Sequence, residues 1–108
     1  MPQIWSCDAE WYDKLKNEQE KVVVAVWSSH DEKVNPYLEK LQVLEDENIP
    51  VFIVDKDSCG SVAEKIGAKP GETVIFKGGK EVGRVTLGEN IEADIEKVRE
   101  LTKGGQNG

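Results

Sequence analysis

Val22-Val23-Val24-Ala25-Val26-Trp27 is apolar at every position and rich in β-branched residues. A strand apolar on both faces must be covered on both, so this run reads as a central strand with helices packed on either side. Val51 to Val54 is a second run of the same kind. Between them Val34, Tyr37, Leu38, Leu41 and Leu44 recur at helical spacing and form one apolar stripe. The spacing predicts a helix from near Asp31, with Ser29 and Glu32 placed as a capping box. Pro36 falls inside the pattern, which predicts a kink or a broken first turn, and Asn48-Ile49-Pro50 ends the helix.

Outward from this centre the alternation continues. Gln3 to Ser6 reads as a short extended start, and Asp8 to Glu20 as a helix carrying Trp11, Tyr12 and Leu15 on one face. After the second strand, Asp57 or Ser58 opens a short helix through Val62, Ala63 and Ile66, stopped by Gly67. Thr73 to Phe76 is a strand, Gly78-Gly79 suits the positive φ angles of a tight hairpin, and the chain returns through Glu81 to Leu87. Asn90 can cap a last helix with Ile91, Ile95, Val98 and Leu101 on one face. The order is β-α-β-α-β-α-β-β-α. Alternating units imply parallel strands with right-handed crossovers, and the closing hairpin adds an antiparallel edge. The expected fold is a three-layer α/β/α sandwich with a mixed central sheet, one domain over 1–103, and a tail at 104–108.

A length of 108 residues suits one domain with a core of its own. Hydrophobic residues at 38% and charged residues at 32% mark a soluble globular chain rather than a disordered one. The net charge of -7 argues against nucleic-acid and anionic-membrane partners, because both recruit basic patches. The start lacks the pattern of a signal peptide, and no apolar run approaches membrane length. Two cysteines, Cys7 and Cys59, are too few for a secreted disulfide scaffold, so a cytoplasmic protein is expected.

Several residues invite a chemical reading and have a simpler one beside it. His30, next to Asp31, could act as a base, but a solvated loop histidine explains it. Ser28 and Ser29 could bind an anion or thiolate at a helix start, yet capping already accounts for Ser29. Asp55 to Gly60 imitates the opening of a calcium loop, but the twelfth position would be Ile66, where a bidentate glutamate is needed. One histidine and two distant cysteines do not make a zinc site, and no cofactor is implied. Trp5 and Trp11 read as core. Trp27 ends a central strand at the carboxyl edge of the sheet, where open α/β sheets bind ligands.

The ordered set VVVAVW (22–27), NPYLEKL (35–41), IPVFIVDKD (49–57) and AEKIGAKPGETVIFKGGKEVGR (63–84), with the closing amphipathic helix, resembles thioredoxin over nearly all of 1–103. The resemblance implies the thioredoxin fold, and it also implies a site that this chain has lost. Thioredoxins carry Trp-Cys-x-x-Cys at the start of the second helix, where the helix dipole lowers the pKa of the attacking thiol. Here Ser28, Ser29 and His30 follow Trp27, and no cysteine lies between Trp27 and Pro36. A serine hydroxyl cannot form the mixed disulfide that exchange requires. The family's buried carboxylate corresponds to Ala25, and its lysine neighbour to Ile53. The family's cis-proline directly precedes a threonine, whereas Glu72 precedes Thr73 here and the nearest proline is Pro70.

The resemblance therefore implies a thioredoxin-like protein with a degenerate site. The favoured role is a non-catalytic module that binds a protein or peptide at Trp27, Ser28, Ser29, His30 and Pro70. The alternative is an atypical thiol-disulfide oxidoreductase in redox homeostasis, using Cys59 or Cys7. A weaker third reading is a glutathione-binding member in which Ser28 or Ser29 stabilises a thiolate, without the second helical domain such enzymes carry. In the thioredoxin arrangement Cys7 and Cys59 both follow strands to the carboxyl edge, close enough for a disulfide. Such a bond would add on the order of 4 kcal/mol by the chain-entropy model. Two unrelated reduced cysteines are the plainer expectation for a mesophile's cytosol.

Overall fold

In a computed structural model of the chain, the described residues are 3–4, 9–18, 20–28, 35–86, 88 and 90–104. They form β1 (Gln3–Ile4), α1 (Ala9–Glu18), β2 (Lys21–Trp27), α2 (Asn35–Asp46), β3 (Val51–Asp55), α3 (Gly60–Ile66), β4 (Glu72–Lys77), β5 (Lys80–Thr86) and α4 (Ile91–Gly104). The sheet order is β1-β3-β2-β4-β5. β1, β3 and β2 are parallel, and β4 and β5 run antiparallel to their neighbours. This is the mixed sheet that the alternation of elements predicts.

The uniform apolarity of β2 has the cause inferred for it. Val22, Val24 and Val26 face one cluster with Tyr12, Phe52, Val54, Val62 and Ile66, while Val23 and Ala25 face another with Tyr37, Leu41, Leu44 and Ile95. Each face of one strand thus feeds a separate core, and burying both sets from water supplies the main drive to fold. Tyr12 anchors α1 by an edge contact with Phe76, the ring centroids 5.8 Å apart. Across the other face Tyr37 donates its hydroxyl to Asp94 Oδ2 at 3.0 Å and accepts the Gly88 N–H at 2.6 Å. That buried network joins α2 to the start of α4.

The local signals mostly act where the sequence puts them. Gly67 closes α3 in the left-handed conformation, with φ 72°. Gly78 and Gly79 take φ 62° and 82° in the two-residue hairpin. Asn90 Oδ1 accepts the Ala93 N–H at 3.0 Å and caps α4. Two details differ. The described part of α2 opens at Asn35, so Pro36 occupies its first turn, where the missing N–H costs nothing; the expected capping box at Ser29 and Glu32 lies outside the described residues. The N-cap of α3 is Cys59 rather than Asp57 or Ser58. Asp55 takes over the turn instead, its carboxylate accepting Asp57 N–H at 3.0 Å and Ser58 Oγ at 3.1 Å. At the other end α4 continues through Lys103 to Gly104, and 105–108 lie outside the described residues.

Candidate functional site at the carboxyl edge of the sheet

The end of β2 is clasped from both sides. Trp27 O accepts Lys56 N–H at 2.8 Å, from the turn after β3, and Val26 O accepts Gly71 N–H at 2.8 Å, from the loop before β4. Ser28 Oγ donates to Asp57 Oδ2 at 2.6 Å. Trp27, Ser28, Asp57 and the Pro70 loop are therefore one neighbourhood. Trp27 is half-buried, packed on the cluster under α2 and α4. Its Nε1 is enclosed without a hydrogen-bond partner among the described residues, as is Thr73 Oγ1.

The loop before β4 has its own geometry. Glu72 N–H donates to Lys69 O at 2.9 Å, and Gly71 has φ 94°. Pro at the second position and Gly at the third, with that bond, make Lys69 to Glu72 a type II turn. The Glu72 carboxylate closes it further by accepting Lys69 N–H at 2.7 Å. Among the described residues no peptide bond is cis. Pro70 thus serves as the second residue of a tight turn, and the Gly71 N–H is spent on Val26 rather than offered outward.

Beneath this edge lie the positions that the thioredoxin resemblance assigns to proton transfer. Ala25 pairs with Ile53 on one side and Thr73 on the other. Ala25 and Ile53 are each 2% exposed, and Thr73 is 0% exposed. The cross-strand row holds no ionisable group, so it offers no proton to a thiolate or leaving group above it.

Cys59 is 4% exposed and disulfide-bonded, with its N–H donated to Asp55 O at 2.6 Å. Cys7, Ser29 and His30 lie outside the described residues. Among the described residues no cluster of His, Cys, Asp and Glu could hold a metal ion. No helix among them is long and apolar enough to cross a membrane. A groove of about 330 Å³ does exist at the opposite, amino edge, lined by Glu20, Lys21, Glu47, Asn48, Pro50 and Lys103. Its charges are mixed and Glu47 already pairs with Arg99 at 3.3 Å, so it lacks a convergent set of groups for a ligand.

Sequence reasoning missed the Ser28–Asp57 tie. The sequence offers Asp57 or Ser58 only as the opening of the short helix, and nothing in one dimension brings Ser28 and Asp57 together. It also missed Arg84, which donates to Gly67 O at 2.7 Å and Ile66 O at 3.0 Å and satisfies the end of α3. Its bond to Glu81 holds that carboxyl below its ordinary pKa.

No family profile and no curated protein sequence matches this chain. Solved structures do. Fasciola hepatica thioredoxin superposes with a TM-score of 0.75 at 23% identity, covering 91% of this chain and 97% of its own. Oxidised Plasmodium falciparum thioredoxin gives 0.74 at 20% identity, covering 94% and 99%. Chlamydomonas reinhardtii thioredoxin f2 gives 0.76 at 13% identity, covering 93% and 95%. The chain has the thioredoxin fold. Identities this low carry the architecture and not the chemistry.

Proposed function

We propose that this thioredoxin-fold chain is a binding module that docks a protein or peptide segment at Trp27, Ser28, Ser29, His30 and the Pro70 loop. On this reading it has shed the dithiol chemistry. The observation that carries the proposal is the row Ile53–Ala25–Thr73, which holds no acid and no lysine under an edge with no thiol between Trp27 and Pro36. Thiol exchange needs an attacking thiolate and a route for its proton, and neither is supplied there. What remains is a half-buried indole at the carboxyl end of a central strand, where open α/β sheets receive ligands. The partner is a polypeptide in this reading, not a nucleic acid, because the net charge of -7 opposes a polyanion. A cytoplasmic location belongs to the same reading.

One observation favours a second reading, an atypical thiol-disulfide oxidoreductase working through Cys59 and Cys7. Cys59 is already half of a disulfide at this edge. Against it stands burial: at 4% exposed, Cys59 Sγ is shielded from the in-line approach of an attacking thiolate.

Backbone amide chemical-shift mapping tests the module, with reduced and alkylated insulin B chain as an extended apolar probe. Shifts should concentrate at residues 27–30 and 69–72 and vanish in Trp27→Ala. Shifts confined to the amino edge near Lys21 and Asn48, or none at millimolar probe, reject the assignment.

A further inference from the structure

The disulfide on Cys59 is independent of any docking role. We propose that it closes on Cys7 within the same chain, and that this bond is a redox-sensitive staple on the outer edge of the sheet. The sequence contains two cysteines, so Cys7 is the one other thiol the chain can supply. β1 runs parallel to β3, with Gln3 opposite Phe52 and Ile4 opposite Ile53. β1 and β3 thus run in the same direction, toward the carboxyl edge at which β3 turns into Cys59. A bond between two copies through Cys59 is disfavoured, because Cys59 is 4% exposed and sits in the cluster with Tyr12, Val54 and Val62.

The staple ties β1 to the turn beyond β3, at an edge where the described ladder pairs Gln3 with Phe52 and Ile4 with Ile53. The other end of the staple stands on the turn from Asp55 to Cys59, where Cys59 N–H bonds Asp55 O. The same turn supplies Lys56 N–H to Trp27 O and Asp57 to Ser28 Oγ. Cutting the bond removes the covalent tie on Cys59 and loosens a turn that touches the end of β2. Reduction is a two-electron step: an external dithiol attacks one sulfur, the S–S bond breaks, and two protein thiols form as the dithiol closes to its own disulfide. Such a bond persists in an oxidising compartment or in the cytoplasm of a hyperthermophile, and opens where dithiol reductants are abundant.

The test begins with thiol titration of the unreduced, denatured full-length protein, followed by proteolysis and mass analysis without reductant. The expected result is no free thiol and one fragment joining the Cys7 and Cys59 peptides in a monomer. Two free thiols, or a dimer linked through either cysteine, overturns the staple. Amide hydrogen exchange with and without dithiothreitol then tests its effect. Protection should fall in β1, in β3 and in the turn 55–59, while β4 and β5 keep theirs, and Tm should drop by about 15 °C. Unchanged exchange in β3 and the turn after reduction overturns the switch. A Cys7→Ser/Cys59→Ser protein should show the reduced pattern and ignore the dithiol; if it fails to fold, the wild-type comparison still decides. A confirmed staple in a protein that binds no peptide leaves this inference standing and removes only the module.

Discussion

In β2, Val22, Val23, Val24 and Val26 are at most 1% exposed, each packed into one of two cores. At the end of that strand Trp27 and Ser28 are half-buried and hydrogen-bonded to Lys56 and Asp57. The interior is specified by volume and apolarity, which Ala25 and Ile53 meet without the desolvation cost that an acid and a lysine would carry there. The edge is specified by individual polar partners and by backbone angles. A chain can therefore keep the thioredoxin fold at 13–23% identity to the three thioredoxins while its edge is rebuilt. Fold and site are held by different interactions and can change separately.

The sharpest way to break this contrast is to charge the interior. Val24→Asp places a carboxylate at a position 0% exposed, with no partner, and costs several kcal/mol. Loss of the cooperative thermal transition is expected; a Tm within a few degrees of wild type would mean that the position is not enclosed.

Alkaline titration probes the same core more gently. Tyr12 is pushed up to about 12, first by burial and then by the charges of Asp13 and Glu81. Its folded pKa lies above the unfolded value, so the native state holds the proton more tightly. The neutral phenol's contribution is intact below pH 10 and is lost as pH rises from 10 toward 12, on the order of 2 kcal/mol. Denaturant midpoints of wild type and Tyr12→Phe should diverge in that window, the variant falling less steeply.

At the edge the expected effects are smaller. Gly71→Ala puts a side chain at φ 94°, and the strained turn should cost about 1–2 kcal/mol. Equilibrium unfolding measures the loss, and shifted amides at Val26 and Trp27 should accompany it. Ser28→Ala removes the exposed hydrogen bond to Asp57 and should change stability by no more than about 0.5 kcal/mol. A loss far above that would make the edge as integral to the fold as the interior.

The same division governs what could be read from the sequence. Strand runs such as Val22–Trp27, the stripe through Tyr37, Leu41 and Leu44, and glycines at 67, 78 and 79 are local patterns, and each found its element. Pro70 is visible in the sequence only as the proline nearest Thr73; the turn it forms is closed by Glu72 folding back onto Lys69. The Ser28–Asp57 bond and the row Ile53–Ala25–Thr73 required strand register, which apolar runs of uniform character do not encode. Positions 25 and 53 could be matched to the family individually; their direct pairing is a property of the folded sheet.

The central claim, that this edge no longer performs dithiol exchange, is tested most directly by insulin disulfide reduction driven by dithiothreitol. The account predicts a rate equal to that of dithiothreitol alone, for the wild-type chain and for Cys59→Ser alike. Turnover by the wild-type chain above the Cys59→Ser control would contradict it and place catalysis on the cysteines that the resemblance leaves out.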